Sequence, residues 1–190
     1  VKKISSLFAR DSSNPRVLTR DYHPNAAWVV AGEGSATRKW DGTAVRVVDG
    51  QLWARYDAKH GKPTPPGFVP SQDPDPNTGH HPGWVLAVRP EDKWLREAAG
   101  TEVWPSGTYE ACGPRINGNP EKLDVHKLVR HGDVVLPEVP ITWDGLLGYF
   151  TAHDIEGVVW WRDLNDLDCD KIKITAAAMG LKHRSGKRAS

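Results

Sequence analysis

Two runs of alternating polarity, Ala44 to Val48 and Leu52 to Tyr56, flank Asp49-Gly50. That dipeptide strongly marks a two-residue β-hairpin turn. With the turn there, Arg46 lies across from Trp53 and Ala44 across from Arg55. Period-two alternation then sets Val45, Val47, Leu52 and Ala54 on a core face, and Arg46, Trp53 and Arg55 on the opposite one. Two arginines beside an aromatic suit an anionic ligand.

Helical spacing occurs twice. Pro90-Glu91-Asp92 supplies the proline and acids that favour a helix start, Trp94, Leu95 and Ala98 form an apolar stripe, and Gly100 ends it. A second helix is predicted from about Thr142 to Ala152, burying Leu146, Leu147 and Phe150. Short strands are predicted at Thr108 to Cys112, Gly157 to Trp161 and Lys171 to Ile174. Alternation in the last sets Lys171 and Lys173 on one face with Ile172 and Ile174 packing behind. No βαβ rhythm is present, so the fold class is α+β with mainly antiparallel strands flanked by helices. The stretch from Gly61 to Gly83 is rich in Pro, Asp, Asn, Ser and Gly and reads as an irregular loop. His80-His81 within it has no third metal ligand at close spacing and reads as loop.

Composition narrows the class. The chain has 190 residues, a 38% hydrophobic fraction and a net charge of +1, with a mean hydropathy of -0.55. That describes a globular protein with a wet surface. No apolar run approaches the ~20 residues that span a bilayer. Val1-Lys2-Lys3-Ile4 lacks the apolar segment of a secretion signal, and a cytoplasmic location is expected. Cys112 and Cys169 form neither a disulfide framework nor a zinc pattern. Residues 1–181 read as one domain and 182–190 as a basic tail. The tail, or Lys2 and Lys3, would suit a polyanion. Nine tryptophans, mostly set among Val and Leu, are expected in core or groove walls.

The candidate chemistry starts at Lys39-Trp40-Asp41-Gly42, just ahead of the hairpin. Four further motifs follow in order: Arg55 in Trp53-Ala54-Arg55-Tyr56-Asp57, Glu110 in Thr108-Tyr109-Glu110-Ala111-Cys112-Gly113-Pro114, Glu156 in Glu156-Gly157-Val158-Val159-Trp160, and Lys171-Ile172-Lys173. Each is weak alone. As an ordered set spanning Lys39 to Lys173, they resemble the covalent nucleotidyltransferase superfamily of ATP-dependent RNA and DNA ligases and capping enzymes. Three stretches are most similar to small stand-alone RNA-repair ligases of the 5′-to-3′ RNA ligase family. They are Arg55-Tyr56-Asp57-Ala58-Lys59-His60-Gly61-Lys62, Gly113-Pro114-Arg115-Ile116-Asn117-Gly118-Asn119-Pro120-Glu121 and His126-Lys127-Leu128-Val129-Arg130-His131-Gly132.

The resemblance implies a ligase adenylation domain without an OB-fold, and a reaction through Lys39-AMP using ATP and Mg²⁺ or Mn²⁺. Free lysine has a pKa of ~10.4, and only its neutral amine attacks phosphorus. The resemblance gives Lys171 and Lys173 the α-phosphate, and Glu156 either the divalent ion or the lysine amine. Glu110 would accept from a ribose hydroxyl, and Arg55 would contact the ribose or 5′-phosphate. Thr37, Arg38, Trp40, Asp41 and Gly42 would line the nucleotide. RNA with 5′-phosphate and 3′-hydroxyl ends is the implied partner, met by Arg46, Lys59, Lys62, Arg115 and Asn117, and a monomer is expected. Ala44 stands where many members carry Arg or Asn, with Arg46 a substitute. The base-stacking residue is left open among Val125, His126 and Trp143. The rival readings are a DNA ligase, a GTP-dependent capping-type enzyme, and a non-catalytic RNA-binding module.

Overall fold

The computed structural model describes residues 4–59, 61–76 and 79–181. Lys2, Lys3, His60 and the basic tail 182–190 lie outside the described residues. In chain order the strands are β1 (Ser5–Ser6), β2 (Phe8–Arg10), β3 (Leu18–Tyr22), β4 (Ser35–Lys39), β5 (Thr43–Val48) and β6 (Gln51–Ala58). Then come β7 (Val69–Pro70), β8 (His81–Leu86), β9 (Gly107–Cys112), β10 (Lys127–Arg130), β11 (Gly157–Trp161) and β12 (Lys171–Thr175). The α-helices are α1 (Ala27–Val30), α2 (Lys93–Ala99) and α3 (Trp143–Ala152). The fold is α+β, and of the paired strands only β1 and β12 run parallel among the described residues. No helix among the described residues is long and apolar enough to cross a membrane. Two compact units divide the stretch read from sequence as one domain: Asp41–Arg130, and residues 4–40 with 131–181.

The first unit, Asp41–Arg130, is built on a six-stranded sheet in the order β10-β9-β5-β6-β8-β7. Its centre is the predicted hairpin, with Arg46 opposite Trp53. Asp49 and Gly50 have φ of 49° and 74°, the doubly left-handed turn that twists with the strands it joins. Val45, Val47 and Ala54 are buried as the alternation requires, with Val85, Tyr109, Ala111 and Leu128 from neighbouring strands. Leu95 and Ala98 of α2 pack into the same cluster. That helix begins after a 3-10 turn at Pro90–Asp92, where Arg89 Nε and Nη2 grip the buried Asp92 carboxylate at 2.9 and 2.8 Å. It stops at Gly100, whose φ of 59° a side chain would resist.

The irregular reading of residues 61–83 needs correction at its end. β8 starts at His81 and pairs with β6 along its whole length, Pro82 facing Asp57 and Trp84 facing Arg55. Gly83 reads locally as a strand breaker, yet it is there because a Cβ would strike the Phe68 ring and the Val69 carbonyl of the adjoining β7 segment. β7 itself is a two-residue strand within the stretch read as loop.

The second unit carries a four-stranded sheet in the order β1-β12-β11-β4 and a separate β2-β3 pair. Val158 and Trp160 of β11 and Ile172 and Ile174 of β12 project into a core completed by Leu7, Phe8, Trp28, Leu146 and Phe150. α3 lies where it was predicted, with Thr142 Oγ1 accepting from Gly145 N–H at 3.3 Å as its N-terminal cap. Leu146 and Phe150 are buried, while Leu147 is only partly so. The elements before Lys39 were not foreseen, because Ser35 to Lys39 is too polar and too short to announce a strand. Pairing makes it one: β11 lies antiparallel on one side, and on the other Arg38 N–H donates to Val134 O and Leu136 N–H to Ala36 O, both at 2.9 Å.

Candidate active site

Lys39 is the last residue of β4 and faces Gly157 across the ladder. A Cβ on Gly157 would collide with the Ile174 carbonyl, so glycine allows β11 and β12 to close at this point. Glu156 immediately precedes Gly157, and its Oε2 accepts from Lys39 Nζ at 2.5 Å. Both side chains are largely withdrawn from solvent, with 25% and 20% exposure. A charge-assisted contact this short holds the ammonium and carboxylate in a defined geometry. The sequence assigned both residues to the chemistry, and the fold brings them together across 117 positions.

The two lysines of β12 share the Lys39 face but differ in placement. Register sets Thr37, Val159 and Lys173 in one row and Ser35, Trp161 and Lys171 in the next. Strand spacing and rise put Lys173 ~12 Å from Lys39 between Cα atoms and Lys171 ~17 Å away. Lys171 Nζ turns to the carbonyls of Leu167 and Cys169 at 2.6 and 3.2 Å and lies 4.2 Å from the Trp161 ring centroid. Burial lowers its pKa from the ordinary lysine value, with the neighbouring acids and Cys169 opposing. Thr37 is buried, and its hydroxyl donates to Val159 O at 3.0 Å. Arg38 stacks over the Trp40 ring at 3.9 Å, a cation–π contact between the residues on either side of Lys39 in the chain.

In the first unit the Asp41-Gly42 backbone is gripped by three side chains. Glu121 Oε1 accepts from Asp41 N–H at 2.9 Å, Glu110 Oε1 accepts from Gly42 N–H at 3.1 Å, and Asn117 Nδ2 donates to the Gly42 carbonyl. Gly42 has no alternative: a Cβ there would strike the Ala111 carbonyl and lie 2.8 Å from Cys112 Sγ. Glu110 is buried on β9 between Ala44 and Val129 in the ladder. Glu121 was quoted within a motif but given no task. The signal that points to it is chemical, since a loop carboxylate nine residues after a buried strand end is suited to accept backbone N–H groups. Asn117, expected at RNA, is exposed and makes this contact to Gly42.

Arg55 faces Trp84 across β6 and β8, its guanidinium 5.6 Å from the ring centroid. Burial pushes its pKa below the usual arginine value, opposed by Asp57, and it stays charged at neutral pH. Arg46, Lys59, Lys62 and Arg115 are all exposed. Of the base-stacking candidates, His126 is held against Trp94, rings 5.2 Å apart and 19° from parallel. Trp143 packs on Phe8 at 5.1 Å, and Val125 is exposed. No group of three or more His, Cys, Asp or Glu among the described residues forms a metal cluster. Mg²⁺ commonly takes one or two carboxylates plus substrate phosphates, a donor set with which Glu156 is compatible.

Comparison with protein-family models gives no match for this chain, and comparison with curated proteins gives none either.

Proposed function

We propose that this chain is an ATP-dependent RNA ligase with a nucleotidyltransferase-type fold, working through a lysyl-adenylate on Lys39. The observation that carries the reading is the 2.5 Å contact between Lys39 Nζ and Glu156 Oε2, at the junction of β4 and β11. An exposed surface lysine has no need of a partly buried carboxylate partner, whereas a nucleophile needs both orientation and a proton acceptor in hydrogen-bond reach. The ordered motifs from Lys39 to Lys173 support the same reading.

In the first step the Lys39 amine loses a proton, with Glu156 in place to accept it, and attacks the α-phosphorus of ATP. A P–N bond forms, the α–β phosphoanhydride breaks, and pyrophosphate leaves. Lys173, on the Lys39 face, would balance the charge that develops on the phosphate. Glu156 is also the carboxylate that would hold Mg²⁺ or Mn²⁺, which when bound would neutralise charge on the triphosphate. The oxygen of an RNA 5′-phosphate then displaces Lys39, giving a 5′-5′ adenylylated end. Attack by a 3′-hydroxyl forms the phosphodiester and releases AMP. Glu110 and Arg55 keep the nucleotide roles that the resemblance gives them.

The test is incubation with α-labelled ATP or GTP and Mg²⁺, for the wild-type chain and for Lys39→Ala. Acid-labile, alkali-stable and hydroxylamine-sensitive label from ATP, as a P–N bond to lysine requires, lost in the variant, is the expected result. Label from GTP would point to capping chemistry, and no label to a binding module. Adding 5′-phosphorylated RNA or the matching DNA to pre-labelled protein identifies the polynucleotide.

A further inference from the structure

The loop from Gly113 to Glu121 is built to a tight specification. Asn117, Gly118 and Asn119 all have positive φ, of 49°, 76° and 58°, a conformation that Asn and Gly tolerate best. Asn119 closes the turn, its Nδ2 donating to Leu123 O and its Oδ1 accepting from Leu123 N–H, both at 2.9 Å. The base of the loop is latched by His126. Its Nε2 accepts from Arg115 N–H at 3.0 Å, so Nδ1 carries the proton and donates to Glu97 Oε1 at 2.8 Å. The His126 side chain is 5% exposed, and Gly113 is required beside it because a Cβ would lie 2.6 Å from His126 Cα.

What this loop delivers is two side chains onto one dipeptide: Glu121 onto Asp41 N–H and Asn117 onto Gly42 C=O. That dipeptide follows Lys39-Trp40 directly in the chain. We propose that Asn117 and Glu121 are positioning residues for nucleotidyl transfer, fixing the Asp41-Gly42 backbone and thereby restricting the conformations open to Lys39. The inference rests on the ligase reading above. Transfer to phosphorus depends on alignment, and misplacement of a reacting group by ~1 Å costs on the order of 10²-fold in rate. It also separates two tasks for Asn117, because self-adenylation uses no RNA. A residue that only contacts RNA leaves that step untouched.

The test is RNA-free self-adenylation of the full chain, timed at several ATP concentrations, for wild type, Asn117→Ala, Glu121→Ala and Glu121→Gln. The alanine variants are expected to form the adduct about 10-fold to 100-fold more slowly at saturating ATP. Their apparent KM for ATP is expected to move less than about threefold. Glu121→Gln, whose amide oxygen still accepts from Asp41 N–H, is expected to recover most of the rate. Amide hydrogen exchange at Asp41 supplies a readout independent of ATP: faster in Glu121→Ala, protected in Glu121→Gln. Should an alanine variant fail to fold, Asn117→Asp keeps the size and removes the donor, and slow adenylation is again expected. Wild-type adenylation rates in these variants, or a loss confined to the RNA-joining step, overturn the positioning role and leave the ligase reading standing. A wild-type chain that takes no label overturns the ligase reading, and the positioning role falls with it.

Discussion

Lys39 Nζ donates to Glu156 Oε2 across 2.5 Å, and the backbone beside them is paired, Lys39 opposite Gly157. The carboxylate thus reaches the amine from the adjacent strand, one residue before the ladder position that faces it. Lys39→Ala is expected to abolish the labelled adduct. Glu156→Ala is expected to slow adduct formation by about 10²-fold or more, the scale of a lost proton acceptor. Single-turnover labelling measures both, and a wild-type rate in Glu156→Ala would sink the role given to that carboxylate.

Gly42 and Gly157 hold the two motif backbones at close approach. Gly42→Ala would drive a methyl group into the Ala111 carbonyl, and Gly157→Ala one into that of Ile174. Both acceptors are strand backbone and cannot move aside cheaply. Each substitution is expected to cost ~1–3 kcal/mol of stability and to depress adenylation. Urea unfolding midpoints check the first expectation, and unchanged midpoints would contradict the close packing.

Lys171 and Lys173 are expected to behave differently although both belong to one motif. Lys171 ties the Leu167 and Cys169 carbonyls. Lys171→Met is therefore expected to lose about 1.5–3 kcal/mol of stability, the scale of hydrogen bonds from a charged group. Lys173→Ala is expected to lower the adenylation rate with a smaller effect on unfolding. Parallel denaturation and labelling of the two variants decide it, and identical profiles would remove the distinction.

Burial pushes the Cys112 thiol up to about 12 from an ordinary 9.0, with Glu110 and Glu121 adding to the effect. The folded protein therefore holds this proton more tightly than the unfolded chain does. The stability contribution is complete below pH ~9 and is lost as pH rises from there toward 12. Unfolding midpoints measured between pH 8 and 11 are expected to fall more steeply in wild type than in Cys112→Ala. Equal slopes would mean that the thiol is not protected. Cys169, only partly covered, is expected to alkylate faster than Cys112 at pH 8.

Much of the fold is legible locally. Asp49-Gly50 and the flanking alternation determine the hairpin and its register, because turn chemistry and strand period act within a few residues. The same holds for α3, capped by Thr142, and for β11 and β12, whose buried positions follow the apolar pattern. The candidate site residues were named from sequence too, since Lys39, Glu156 and Glu110 stand in motifs that resemble a known ordered set. β8 was not legible. Pro82 and Gly83 argue against a strand locally, and only pairing with β6 and close packing of Phe68 override them.

The sequence by itself therefore determined the local elements, the α+β class and the candidate nucleophile. Only the tertiary structure decided that Glu156 meets Lys39, that Glu121 and Asn117 hold the backbone two and three residues farther on, and that Lys171 turns to a loop. Those contacts join positions from 4 to 117 residues apart through side-chain direction and register. A local pattern can announce a strand and its buried face, but not which distant carboxylate the packed core will bring to its end.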